Sequence, residues 1–135
     1  MKKAVLADAG PLYAALDPSD GRHGRAQADI ERLDHEGRGV AVAFPTLCEA
    51  HSLVLRKLGA YRAREWLREL RAYASVVNPV AEDYEQATNY IAAYGGEKLS
   101  VFDAVTAVMS ERLALPVWTY DYDFYVMQTE VWHRE

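Results

Sequence analysis

The chain has 135 residues, 50% of them apolar and 26% charged, with a net charge of −5 and a single cysteine. That length supports one substantial core and is short for two, so a single domain over 1–135 is expected. The composition excludes a low-complexity chain, the negative balance argues against gripping nucleic acid through overall charge, and lone Cys48 cannot close an internal disulfide.

The opening MKKAVLADAGPLYAAL has the look of a secretion signal, but Asp8 interrupts its apolar segment and no small-residue cleavage site follows. No run approaches the roughly 18 apolar residues that cross a bilayer. Cys48 has apolar neighbours, which predicts a buried, reduced thiol, and the cytoplasm is the expected compartment.

In chain order, AVLA over 4–7 is a continuous apolar run, as expected of a strand buried on both faces of a parallel sheet. A polar helix over 21–36 follows, with Ala26, Ile30 and Leu33 as its apolar stripe, Asp20 as its N-cap and His23 at its start. GVAVAF from Gly39 reads as the second strand. Pro45 can open the next helix, whose apolar face of Leu47, Ala50, Leu53, Val54 and Leu58 runs to a stop at Gly59. A further helix over 60–74 carries Ala63, Leu67, Leu70 and Ala74 at helical spacing. SVVNP from Ser75 is the third strand, and a helix over 81–94 ends at the Gly95-Gly96 pair. Ser100 is placed to cap a helix over 101–113, LPVWTY from Leu115 is the fourth strand, and VWHR from Val131 is a weaker fifth. Strands alternating with helices in this way indicate an α/β fold with a mainly parallel sheet.

On that frame the acids fall together. Asp8 follows the first strand directly, Asp121 lies just past the fourth, and Glu49 lies in the first turns of the helix after the second. Ligands of open α/β sheets bind outside the carboxyl ends of the strands, where these residues sit. Asp103 stands among Leu99, Val101, Phe102, Ala104 and Val105, an apolar setting that surface decoration does not explain. Singly, Asp8 and Asp121 read equally well as turn or capping residues, and Glu49 as a charge complementing the helix dipole. Together they pose an electrostatic problem. At an effective dielectric near 20, two carboxylates about 5 Å apart repel by roughly 3 kcal/mol. Protons or hard divalent cations relieve that repulsion, and magnesium characteristically pairs a few carboxylates with waters and substrate phosphates. Metal-assisted phosphoryl transfer is the chemistry this pattern predicts.

Arg56, Lys57, Arg62, Arg64, Arg68 and Arg71 place six of the fifteen basic residues within a short span. Arg64, Arg68 and Arg71 share one helical face, readable either as a solvated surface or as an RNA-binding stripe. Tyr120, Tyr122, Phe124 and Tyr125 are read as core and turn residues, with base stacking as the alternative.

The blocks VLADAGPLYAALD, FPTLCEAHSLVLRKLG and LSVFDAVTAVMSERLALPVWTYDYDF succeed one another as in PIN-domain ribonucleases. The chain resembles in particular the bacterial VapC toxins of type II toxin-antitoxin pairs, from Ala4 to about Trp132. The last block is the most specific, with Asp-Ala on a helix, an apolar strand, and then Thr119, Asp121 and Phe124 in the pattern Thr-x-Asp-x-x-Phe. The resemblance implies a three-layer α/β sandwich whose five-stranded, mainly parallel sheet has the order 3-2-1-4-5. It implies an endoribonuclease dependent on Mg2+ or Mn2+, with Asp8, Glu49, Asp103 and Asp121 as catalytic metal ligands and Thr119 in support; Asp123 is read as a turn residue beside them, with contact to a metal or its water as the alternative. It also implies a cytoplasmic homodimer, away from membranes, restrained by a cognate antitoxin. Ala9-Gly10-Pro11 departs from the many relatives that carry Ser, Thr or Asn after the first Asp. Two alternatives stand beside this reading. One is a catalytically quiet PIN fold that binds RNA or protein, and the other is a phosphoacceptor receiver domain, which requires an acidic pair where only Asp8 follows strand one.

Overall fold

The computed structural model describes residues 3–94 and 98–133. Strand β1 (Ala4–Ala7) is wholly buried at the centre of a parallel sheet of order β3-β2-β1-β4, with β2 spanning Gly39–Ala43, β3 Ser75–Val77 and β4 Val117–Trp118. Every pairing is parallel, with Val5 opposite Val40, Val42 opposite Val76, and Ala7 opposite Trp118. Alternate residues of each central strand serve opposite faces, as the two-residue repeat of a strand requires. Val5, Ala7, Val40 and Val42 pack with Leu12, Leu47, Val54, Trp66 and Trp118 on one side. Ala4, Leu6, Ala41 and Ala43 meet Val105, Val108 and Met109 on the other.

Helices cover both faces, which gives the three-layer architecture. The first face carries α1 (Ala9–Leu16), α2 (His23–His35) and α3 (Phe44–Tyr73); the second carries α4 (Ala81–Ala93) and α5 (Val101–Leu113). A short α6 (Asp123–Val126) closes the turn after β4 and buries Phe124 completely. Asp83, 2% exposed, takes two hydrogen bonds from the Arg112 guanidinium at 2.8 and 2.7 Å and so ties α4 to α5. Among the described residues, no helix is long and apolar enough to cross a membrane.

Several expectations need correction. The fifth strand contracts to a single parallel bridge between Val131 and Val117, with Val117 N–H donating to the Glu130 carbonyl and Trp132 N–H to that of Val117. His133 then adopts a positive φ of 54°, outside the extended region that a strand requires. Arg134, the end of that expected strand, and the Gly95-Gly96 pair lie outside the described residues. Helix α1 forms where no helix is predicted, because Pro11 falls in its first turn, where a missing N–H costs nothing. Asp20 caps the turn before α2 rather than the helix, its carboxylate accepting from Arg22 N–H at 2.8 Å. His23 does begin α2, its Nδ1 lying 2.7 Å from the Ala14 carbonyl oxygen. Cys48 is exposed, not buried, because the apolar stripe of α3 passes through Leu47 and Ala50 instead.

The predicted stop at Gly59 is a break inside α3, with φ 92° and ψ 169°. Side chains are strongly disfavoured there. Gly59→Ala should therefore lower stability by about 1–3 kcal/mol in urea unfolding. Gly10, in the first turn of α1 with open space around its Cα, should accept Ala with no loss or a gain of about 0.5 kcal/mol.

Candidate metal centre

The ladder between β1 and β4 continues one step past the strands, where Asp8 N–H donates to the Trp118 carbonyl at 2.9 Å. Asp8 and Thr119 thereby become neighbours across the carboxyl edge of the sheet. The Thr119 hydroxyl donates to Asp8 Oδ2 at 2.7 Å, and Ala9 N–H donates to Oδ1 at 2.9 Å. The Thr119 oxygen also accepts from Asp121 N–H at 3.0 Å, and Asp121 Oδ1 accepts from Asp123 N–H at 2.9 Å. The side chains of Thr119 and Asp121 thus replace a strand ladder with two successive turns.

Asp103 reaches the same place from α5. Ser100 Oγ caps that helix by accepting from Asp103 N–H at 3.0 Å, as its sequence position predicts. Oxygens of Asp8, Asp103 and Asp121 lie within 4.8 Å of one another, and Asp8 and Asp103 are buried. Glu49 approaches from α3, and its Oε1 is buried without a hydrogen-bond partner among the described residues. Thr46 and Thr106, both 1% exposed, meet hydroxyl to hydroxyl at 3.1 Å. Thr46 precedes Glu49 by three residues on α3 and Thr106 follows Asp103 by three on α5, so their contact joins the two helices that deliver these acids. The symmetric spacing is visible in the sequence, but its meaning depends on knowing which helices touch.

Burial pushes the Asp103 carboxyl up to about 8, with the charges of Asp8, Asp121, Glu49 and Asp123 adding to the effect. Glu49 is also raised, first by burial and then by Asp8 and Asp121. Burial raises Asp8 as well, against the opposing pull of its bonds from Thr119 and Ala9. These directions agree with the crowding of like charges in a partly dry pocket. An all-oxygen donor set, with an orphaned buried Glu49 oxygen facing like-charged neighbours, fits a hard divalent cation and has no place for a soft one.

The other predicted site residues are placed apart from this cluster or at its margin. Asp123 begins α6 and is not among the three converging carboxylates. Arg64, Arg68 and Arg71 lie on the second half of α3, past the Gly59 break, and line a shallow groove with Leu67 and Ala72. Arg68 is paired there with Glu65. Of the aromatics, Phe124 is core, Tyr120 is partly buried and Tyr122 is 73% exposed.

A parallel α/β sandwich with converging acids at the carboxyl edge of its sheet defines the class. Residues 5–129 match the PIN domain family, and the chain belongs to it. No curated protein matches the sequence. Among solved structures, VapC20 of Mycobacterium tuberculosis, described as a Sarcin-Ricin loop cleaving toxin, superposes with a TM-score of 0.80 at 21% identity, over 93% of this chain and 96% of its own. VapBC2 from Rickettsia felis, bound to a DNA fragment from their promoter, gives 0.73 at 12% identity over 95% and 96%. A toxin-antitoxin complex from Klebsiella pneumoniae gives 0.68 at 19% identity over 90% of each chain. At these identities the likeness is one of fold.

The raised carboxyls carry a stability consequence whose sign is fixed. A folded pKa of about 8 against an ordinary 3.8 means that Asp103 favours the fold most below pH 4, and that this contribution is lost as pH rises through 8. The melting temperature of chelator-treated protein should fall by roughly 5 °C between pH 5 and 8.5. Asp103→Asn should flatten that decline in differential scanning fluorimetry, and identical profiles for the two proteins would contradict the assignment.

Proposed function

We propose that this chain acts as a single PIN unit that hydrolyses RNA phosphodiester bonds with a divalent cation, Mg2+ or Mn2+. Asp8, Asp103 and Asp121 hold the cation, and Glu49 completes the set. The observation that carries the reading is the convergence of three carboxylates within 4.8 Å beside a buried, unpartnered Glu49 oxygen, in a chain of the PIN family. A bound cation supplies Lewis acidity there, making water acidic enough to act as nucleophile at neutral pH and balancing charge that builds on the phosphate.

The chain's own residues prepare the site. Thr119 and the Ala9 N–H fix both oxygens of Asp8, so that carboxylate is oriented before any ligand arrives. Thr119 serves as a support and not as a nucleophile, because its proton is given to Asp8 and its oxygen is occupied by Asp121 N–H. A cation held by these acids would compete with the proton on Asp103, whose carboxyl is pushed up to about 8, so affinity should rise with pH.

The physiological role we propose is that of the toxin in a toxin-antitoxin pair, a cytoplasmic homodimer kept quiet by its cognate antitoxin. The descriptions of the structural neighbours as a loop-cleaving toxin and a toxin-antitoxin complex support this reading.

Antitoxin-free protein should cleave single-stranded RNA oligonucleotides with manganese present and stop when a chelator is added. Asp8→Asn and Asp103→Asn should each lower the rate by roughly two orders of magnitude or more, and Thr119→Val by about 10- to 100-fold. Undiminished cleavage by either Asn variant would overturn the assignment of these acids, and none by folded wild type would favour a catalytically quiet PIN scaffold. In the same assay Asp121→Asn should cost at least about tenfold more than Asp123→Asn, because only Asp121 joins the converging oxygens. Equal losses would reverse that ranking.

A further inference from the structure

A cluster of acids on a chain of net charge −5 repels the polyanion it is proposed to cut, so an RNA strand held there needs cationic groups nearby. Tyr120 lies between Thr119 and Asp121, two residues of the site itself. Its ring is held rigidly. The hydroxyl donates to Asp29 Oδ2 at 2.6 Å, and the same oxygen accepts from Trp118 Nε1 at 3.1 Å, which pins the end of β4 to α2. Over that ring stand two guanidinium groups, Arg25 at 4.1 Å and Arg22 at 5.5 Å from its centroid.

Both arginines are exposed, one at the N-cap and one in the first turn of α2. Among the described residues neither forms an ion pair, whereas Arg38, Arg68 and Arg112 are each matched to a carboxylate. Asp29, one turn further along α2, is already taken up by Tyr120 and Trp118. Two like charges three residues apart on a helix repel, so this pairing is not explained by helix stability. A guanidinium resting on a ring keeps its in-plane N–H donors, the geometry suited to gripping phosphate oxygens. Consecutive Cα atoms are about 3.8 Å apart, so the residue that carries this pair directly adjoins Asp121. Arg64, Arg68 and Arg71 have no such link, since they lie beyond the α3 break.

We propose that Arg22 and Arg25, seated on Tyr120, bind a backbone phosphate of the RNA strand next to the one that is cut and hold the strand across the acidic site. This inference rests on the ribonuclease reading and names positioning residues for it. The same geometry makes Tyr120 a support for the arginines and not a platform for bases.

The test uses full-length protein and a fluorescent single-stranded RNA oligonucleotide, with binding followed by anisotropy across a salt series and cleavage followed with manganese. The double variant Arg22→Ala, Arg25→Ala should bind at least about tenfold more weakly at low salt, and its slope of log affinity against log salt should be shallower by roughly 0.7, the value for one phosphate contact on a single strand. Cleavage should lose through KM by a similar factor while kcat stays within about threefold. The double lysine variant should recover most of the salt slope, which a purely structural role for the arginines would not produce, and it also serves if the alanine variant does not fold. An unchanged slope and KM in a folded double variant, with wild type cleaving, would overturn this inference and leave the ribonuclease reading intact. Wild type that binds RNA through the arginines but cuts none would overturn the ribonuclease reading, and with it the positioning role, while upholding the phosphate contact of the two arginines.

Discussion

The hydrogen bond from Thr119 to Asp8 joins residues 111 positions apart, and the candidate site is organised around it. It exists because β1 and β4 run side by side in parallel, with Ala7 opposite Trp118, so the next residue of each strand emerges at the same edge. Shifting that register by one residue would exchange the two faces of β4, sending Trp118 away from its core and Thr119 away from Asp8. The core therefore enforces the site. Trp118 is 2% exposed and packs with Val5, Val42 and Trp66, and the cost of unburying it keeps Thr119 in place.

The same edge shows a conflict between stability and function. Buried carboxylates crowd together while one Glu49 oxygen has no hydrogen-bond partner among the described residues, an arrangement no fold would favour for its own sake. Structural devices nearby hold the acids against their repulsion. Ser100 caps the helix of Asp103, and the Thr46–Thr106 contact locks α3 to α5 one turn from the acids each carries. Burial and mutual repulsion push the carboxyls of Asp103, Asp8 and Glu49 upward, that of Asp103 to about 8. The strain is thus local, and the surrounding apolar layers offset it.

Much of this was legible in the sequence, for reasons that particular residues make plain. AVLA could be placed because a strand buried on both faces needs an unbroken apolar run, and Asp8 stood out because it ends one. Ser100 and Gly59 could be placed because capping and positive φ are local demands that a few residue types meet. What failed depended on contacts between distant segments. VWHR has strand-like composition, but among its described residues it forms one bridge, at Val131, before His133 takes a positive φ. Cys48 has apolar sequence neighbours, yet which side of α3 faces inward is decided by the sheet beneath it. Arg22 and Arg25 lie about a hundred positions from Tyr120, and no periodicity within α2 points to that ring.

The stretch from Thr119 to Phe124 shows how little chain such a site requires. Two side chains each capture the N–H two residues on, Thr119 that of Asp121 and Asp121 that of Asp123, so the backbone turns where β4 would otherwise continue. Phe124, fully buried with Val117 and Met127, then fixes the far end of the turn. The even-numbered residues are left outside this staircase, with Tyr120 leaning on α2 and Tyr122 open to solvent. One carboxylate oxygen of Asp121 is used to build the turn, and its place among the converging acids follows from that same turn. Asp123 supplies the next N–H and starts α6, so its first task is met by its backbone whatever its carboxylate does. Two aspartates that look equivalent in the sequence are therefore separated by their position in the turn: one side chain makes the bend, and the other is carried by it.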